Sequence, residues 1–182
     1  MPGPIMHADP TMARTADAAF EIAEPRAQHM ASMVALFRQG QQPHHAAFPD
    51  QFGPGDNDAV IVRFLKGFQP RNHPFKKRQG FAGGWVVDGA LRGYLLYRLY
   101  ETSDVYYGKS RWVCLVEDIV IDHHARLLGG ATALIDDLMQ QLARLENCSV
   151  SATVWKGNDA SQALFQKHGF EALSQSFYRT IR

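Results

Sequence analysis

The sequence predicts an α/β fold: a central mixed sheet of about six to seven strands with helices on both faces. Three observations carry that expectation. Phe81 to Tyr100 reads as a hairpin, with Trp85-Val86-Val87 and Tyr94 to Tyr100 as strands joined through Asp88-Gly89, a pair that tolerates positive φ. Arg111 to Ile121 is a β-branched strand that runs through Gly129-Gly130 into an amphipathic helix. Val150, Ala152 and Val154 then alternate along another strand, and Asn158 opens a further helix.

The remaining elements follow in chain order. Met1 to Asp17 mixes Pro, Gly, His, Asp and Thr without an apolar run, which predicts a disordered leader over residues 1–17 and a single domain over 18–182. Ala19 to Ala23 alternates as a short first strand. Pro25 begins a helix that places Met30, Met33, Val34 and Phe37 on one face. Gly40 to Pro54 reads as loop from its His, Pro, Gly and Asp content. A second helix with Val60, Ile61, Phe64 and Leu65 is capped by Asp56 or Asp58, and the basic piece from Gln69 to Gln79 reads as loop. In the helix after the glycines, Leu128, Ala131, Ile135, Leu138, Leu142 and Leu145 recur at spacings of three and four, the mark of one buried face. The last helix closes at His168-Gly169, a C-terminal cap. Phe170 to Leu173 and Phe177 to Ile181 complete the expectation as strands.

Composition narrows the class. Hydrophobic content of 46% and charged content of 20% suit a globular chain with an ordinary core. A net charge of +1 gives no electrostatic footprint for nucleic acid or anionic membrane. No stretch is long and apolar enough to span a bilayer. Cys114 and Cys148 fall in apolar segments and read as buried thiols of a reducing compartment, which makes cytoplasmic the expected location.

The chemistry concentrates between Val116 and Ala131. A strand that turns through an arginine and two glycines into a helix aims unpaired N–H groups and the positive end of a helix dipole at one spot. Such a spot holds a phosphate or pyrophosphate, and absent side chains at Gly129 and Gly130 let it approach. The Gly-Gly-Ala spacing does not match a dinucleotide fingerprint. His123-His124 and His44-His45 lack a third ligand at a metal-binding spacing, so no metal is expected.

Two motifs in order resemble those of the GNAT superfamily of acyl-CoA-dependent N-acetyltransferases. Arg126-Leu127-Leu128-Gly129-Gly130-Ala131 is similar to the family's Arg/Gln-x-x-Gly-x-Gly/Ala, and Asn158 to Phe170 to its Asn-x-x-Ala-x-x-Leu-Tyr-x-x-x-Gly-Phe. The likeness covers Phe81 to the C-terminus, and the earlier part by element order. Gly108-Lys109 followed by Leu115 to Ile119 also resembles the diamine (spermidine/spermine) acetyltransferase branch. Two departures stand out: Leu127 occupies a position where the family often has Gly, and Phe165 replaces the tyrosine that in many members protonates the leaving thiolate.

The resemblance implies a GNAT-like fold, acetyl-CoA as co-substrate and acetyl transfer to a primary amine. By that likeness, Ile119 and Ile121 would pair with the pantetheine arm, the segment from Arg126 through Leu127, Leu128, Gly129 and Gly130 to Ala131 would hold the pyrophosphate, and Asn158 and Phe165 would face the cofactor arm. A backbone N–H near Ile119 would stabilise the oxyanion. An alkylamine with a pKa of about 10.4 arrives protonated, so a base must take its proton. Glu117 is the expected base and Asp118 the alternative, since neighbours on a strand point to opposite faces. Tyr106, Tyr107 or Tyr178 could supply an acid in place of Phe165. The expected acceptor is a small molecule such as a polyamine or amino acid, shaped by the loops Gly40–Pro54 and Gln69–Gln79. The competing readings are a protein or peptide N-acetyltransferase and a non-catalytic acyl-CoA-binding module. A homodimer is implied by the family alone.

Overall fold

The computed structural model describes residues 20–70, 79–102 and 111–179, so the leader, Gly108-Lys109 and Tyr106-Tyr107 lie outside the described residues. Among the described residues six strands form one sheet. The main path runs β1 (Phe20–Ala23), β3 (Gln79–Val87), β4 (Ala90–Thr102), β5 (Arg111–Ile121) and β6 (Cys148–Ala152), and β2 (Phe68–Pro70) pairs with β3 off that path. Neighbours are antiparallel except β2 with β3 and β5 with β6, which are parallel. The expected hairpin is present, with Asp88 at φ 49 and Gly89 at φ 76 making the positive-φ turn that matches strand twist.

Period-two alternation divides the core. Leu95, Tyr97 and Leu99 of β4 pack with Leu134, Ile135 and Leu138 of α3 (Gly130–Leu142) and Phe165 of α4 (Asp159–Lys167). Tyr94 and Leu96 face the other way, toward Met33, Val34 and Leu36 of α1 (Met30–Ala47) and Ile61 and Leu65 of α2 (Asp58–Leu65). Helices thus cover both faces, as the sequence predicts.

Four sequence expectations are corrected. Residues 40–47, expected as loop, continue α1 with Pro43 inside it. Gly40 is what lets this happen, because a Cβ there would lie 2.8 Å from Val120 Cγ2, so α1 passes close against β5. Asn57 caps α2, with Oδ1 accepting from the Val60 N–H at 3.2 Å; Asp58 is the first helical residue and pairs with Arg38. Phe68–Pro70 is strand at the start of the expected loop 69–79, whose residues 71–78 lie outside the description. Residues 170–179 form no strand, and Leu173 and Phe177 are 90% and 89% exposed, with no sheet edge covering them.

Candidate active site

The parallel register of β5 and β6 begins at Trp112↔Cys148 and ends at Val116↔Ala152. Beyond it β5 continues to Ile121 while the other chain segment turns away through Trp155 to α4, and a cleft opens between them. A cavity of about 620 Å³ fills this gap, lined by β5 from Asp118 to Ile121, by Arg126 to Thr132 without Leu128, by Trp155 to Ser161 without Asp159, and by the C-terminal half of α1. A second cavity of about 180 Å³ adjoins it, lined by Glu117, Asp118, Phe52, Ala152, Trp155 and Phe165 among others. The two share His44, Asp118, Ile119, Trp155, Asn158 and Ser161, which form the neck between them.

The turn that closes the larger cavity is built by backbone conformation. Leu127 at φ 66 and Gly129 at φ 84 are both left-handed, and Gly129 is the N-cap of α3. The free N–H groups of the first helical turn therefore face the cavity. The glycines differ in purpose. Nothing lies within 4 Å of a Cβ added at Gly129, which leaves that side open to a ligand. A Cβ on Gly130 would stand 2.5 Å from the Trp85 indole, so Gly130 is required by helix-on-sheet packing rather than by ligand approach. Leu127 adopts a conformation that costs an L-residue about 1–2 kcal/mol, which is the physical reason glycine suits this position. Its side chain is wholly exposed.

A β-bulge decides how the carboxylates stand. Tyr97 pairs with Val116 and Leu96 with Asp118, so Glu117 is the extra residue. The bulge breaks alternation: Cys114 and Val116 face the α3 side, whereas Asp118 and Val120 face the α1 side. The expectation that Glu117 and Asp118 face opposite ways is thereby corrected, because both line the smaller cavity. Glu117 is held in an ion pair by Arg98 Nε at 2.8 Å, and that guanidinium lies 4.8 Å over the Phe68 ring. Asp118 is half-buried on the cavity wall and accepts a hydrogen bond from the Tyr94 hydroxyl at 2.7 Å. Burial pushes its carboxyl up to about 6, against the opposing pull of the Tyr94 and Ile119 hydrogen bonds. The same burial, with the Asp118 charge beside it, pushes Tyr94 well above its usual range.

Asn158 caps α4, its Oδ1 accepting from the Ser161 N–H at 3.2 Å, which leaves its amide nitrogen to the neck. Phe165 is buried against Phe170 and lines only the smaller cavity. Tyr178 is 68% exposed and lines neither. The wall that sequence reasoning missed is aromatic. His44, Phe48 and Phe52 gather on Trp155, with Phe52 edge-on to it at 4.6 Å and His44 stacked on Phe52 at 5.3 Å. Desolvation lowers the His44 pKa. These residues come from distant parts of the chain, and the only signal in sequence was that residues 40–54 shape the acceptor side. Among the described residues no group of three or more His, Cys, Asp and Glu is placed to hold a metal, and no helix is long and apolar enough to cross a membrane.

The two cavities carry opposite electrostatic character. Arg126, Lys156 and Lys167 line the larger. The smaller has Glu117 and Asp118 and, among the described residues, no lysine or arginine.

The acetyltransferase (GNAT) family profile matches residues 41–170. The chain belongs to the GNAT family. Its reaction class is acetyl-CoA-dependent N-acetyl transfer, and no curated protein matches it in sequence. Solved structures share the fold at low identity. A Bacillus halodurans protein is 17% identical with a TM-score of 0.72, over 89% of this chain and 99% of its own. A ribosomal-protein-alanine N-acetyltransferase from Brucella melitensis is 20% identical with a TM-score of 0.62, over 90% and 100%. An aminoglycoside N-acetyltransferase in complex with CoA is 18% identical with a TM-score of 0.65, over 91% and 97%.

Proposed function

We propose that this GNAT enzyme acetylates a small primary amine in the neck between the two cavities, with Asp118 as the proton acceptor. The observation that carries the reading is the position of Asp118: a desolvated carboxyl on the wall common to a cation-lined and a carboxylate-lined cavity. The larger cavity fits acetyl-CoA, since the space beside Gly129 is open and the cations suit its phosphates. Bound there, the thioester supplies an activated acetyl group. Ile119 and Ile121 would flank its arm, Arg126 to Ala131 its pyrophosphate, and Asn158 its amide groups.

A base is most effective when it titrates near the working pH, which favours Asp118 over the Glu117 expected from sequence. Asp118 takes a proton from the ammonium, directly or through water. The freed amine nitrogen attacks the thioester carbonyl, the C–S bond breaks, and CoA departs as the thiolate; the nitrogen gives up its second proton to that thiolate or to water, and Asp118 returns the first proton to solvent. Phe165 offers no proton, and a thiol with a pKa of about 8.5 is a fair leaving group without a dedicated acid. Glu117 is paired with Arg98 and carries no proton in the reaction; it offsets the Arg98 charge beside the acceptor cavity. The Ile119 N–H is engaged by the Asp118 carboxylate, so it reaches an oxyanion only once that bond is released. The free thiols of Cys114 and Cys148 fit a reducing, cytoplasmic setting.

The test is amine-dependent release of CoA. Asp118→Asn should cut turnover by a factor of about 10²–10⁴, the range for a lost general base. Glu117→Gln should act mainly on KM. Equal turnover in Asp118→Asn and the parent would transfer the base role away from Asp118.

A further inference from the structure

The acceptor cavity carries more information than its charge. Its volume is about 180 Å³. A cavity of about 150 Å³ is known to hold benzene, so the space suits one ring with a short arm. Three linked sugar rings exceed it several-fold.

Charge pairing adds a second constraint. Of the two carboxylates, Glu117 is already neutralised by Arg98. Among the described residues Asp118 receives only neutral donors, the Tyr94 hydroxyl and the Ile119 N–H. One uncompensated negative charge matches one ammonium. A polyamine would bring further cations for which this cavity offers, among the described residues, no second carboxylate free of a cationic partner.

The third constraint is the aromatic part of the lining, where His44, Phe52 and Trp155 border the same cavity as Asp118. Phe52 and Trp155 meet edge to face at 4.6 Å, and His44 stacks on Phe52 at 5.3 Å, so three rings form one continuous aromatic surface. Burial holds the His44 imidazole toward its neutral form, which adds ring surface without repelling an ammonium. These rings pack on one another too closely to admit a group between them. They present edges and faces for a ligand ring to lie against, an arrangement that aromatic pairs favour.

From this juxtaposition we infer that the acceptor is a monoamine on a single aromatic ring joined by a short linker, an arylalkylamine, with its ring on the Phe52–Trp155 wall and its nitrogen at Asp118. The inference rests on the acetyltransferase reading above and narrows its acceptor. Phe52 becomes a specificity-determining residue, since it lines the smaller cavity alone, whereas Trp155 and His44 also border the donor side.

The experiment compares phenethylamine, spermidine and a three-ring aminoglycoside as acceptors at saturating acetyl-CoA, reading kcat/KM from CoA release. Binding of phenethylamine without acetyl-CoA is measured in parallel by NMR. Phenethylamine should exceed both others by at least about tenfold, the scale of a lost aromatic contact plus an unpaired charge. Phe52→Ala and the milder Phe52→Leu, which keeps an apolar side chain but no ring, should each raise its KM about tenfold while leaving the acetyl-CoA Kd in place. Equal or better turnover of spermidine or the aminoglycoside would overturn the ring-amine assignment and leave the acetyltransferase reading standing. So would an unchanged KM in both Phe52 variants. Phenethylamine binding with no acetylation of any amine would keep the ring site and overturn the transferase reading. Neither binding nor turnover would overturn both.

Discussion

Asp118 keeps its proton at a pH where a carboxyl in water has lost it, and this has two measurable consequences. Because the base works only when ionised, kcat/KM should rise with pH through about 6. The stability consequence has the opposite direction. The folded-state pKa is raised above the usual 3.8 to about 6, so the folded protein holds a proton that the unfolded chain releases in that window. Stability is therefore fully present below the unfolded pKa and is lost as pH rises through the folded one. Asp118→Asn removes the buried charge and still accepts from Tyr94, so at pH 8 it should unfold later in urea, by about 1–3 kcal/mol, while turnover collapses. A variant less stable than its parent at pH 8 would mean the carboxylate is not destabilised by burial. Leu127 offers a second residue-scale test. Leu127→Gly removes left-handed strain of about 1–2 kcal/mol at an entropic cost of about 0.5–1, so a net gain of about 0.5–1 kcal/mol is expected by thermal unfolding.

At the scale of elements, the turn into α3 separates two uses of glycine that the sequence shows side by side. Gly130→Ala drives a methyl into the Trp85 indole and should cost about 1–3 kcal/mol in chemical denaturation. The strand-turn-helix cradle and the α4 cap were legible because each is local: a few consecutive residues set φ, the cap and the helix start. The helix through Gly40 and Pro43 was not legible, because those residues locally resemble loop. Their place in a helix depends on the contact of Gly40 with Val120, eighty residues on. The bulge at Glu117 was hidden for a similar reason. Alternation along β5 looks unbroken until its register with β4 is known. The aromatic wall needed the most distant association, joining α1 and the segment after it to the stretch following β6.

For the whole molecule, the sheet places every piece of the site at one opening, between the diverging ends of β5 and β6. The fold class and the helices on both faces were legible from periodicity, and the GNAT motifs pointed to the turn into α3, which lines the larger cavity. The proposed acceptor side was legible only as two loop segments, one of which is helix as far as Ala47. β6 ends the main path of the sheet, and the residues after α4 expose Leu173 and Phe177. A β6 edge that no described strand pairs, together with exposed apolar groups elsewhere, predicts self-association, which analytical ultracentrifugation across concentration should show as a dimer. A strictly monomeric protein would contradict that expectation without touching the site.

Calorimetric titration with acetyl-CoA of the parent and of Ala131→Glu tests the central claim most directly. A glutamate in the first turn favours the helix and opposes a pyrophosphate at the same place. The account predicts one-site binding by the parent and at least about a tenfold loss in the folded variant, the scale of an unfavourable charge contact. No binding by the folded parent, or unaltered binding by the variant, would contradict it.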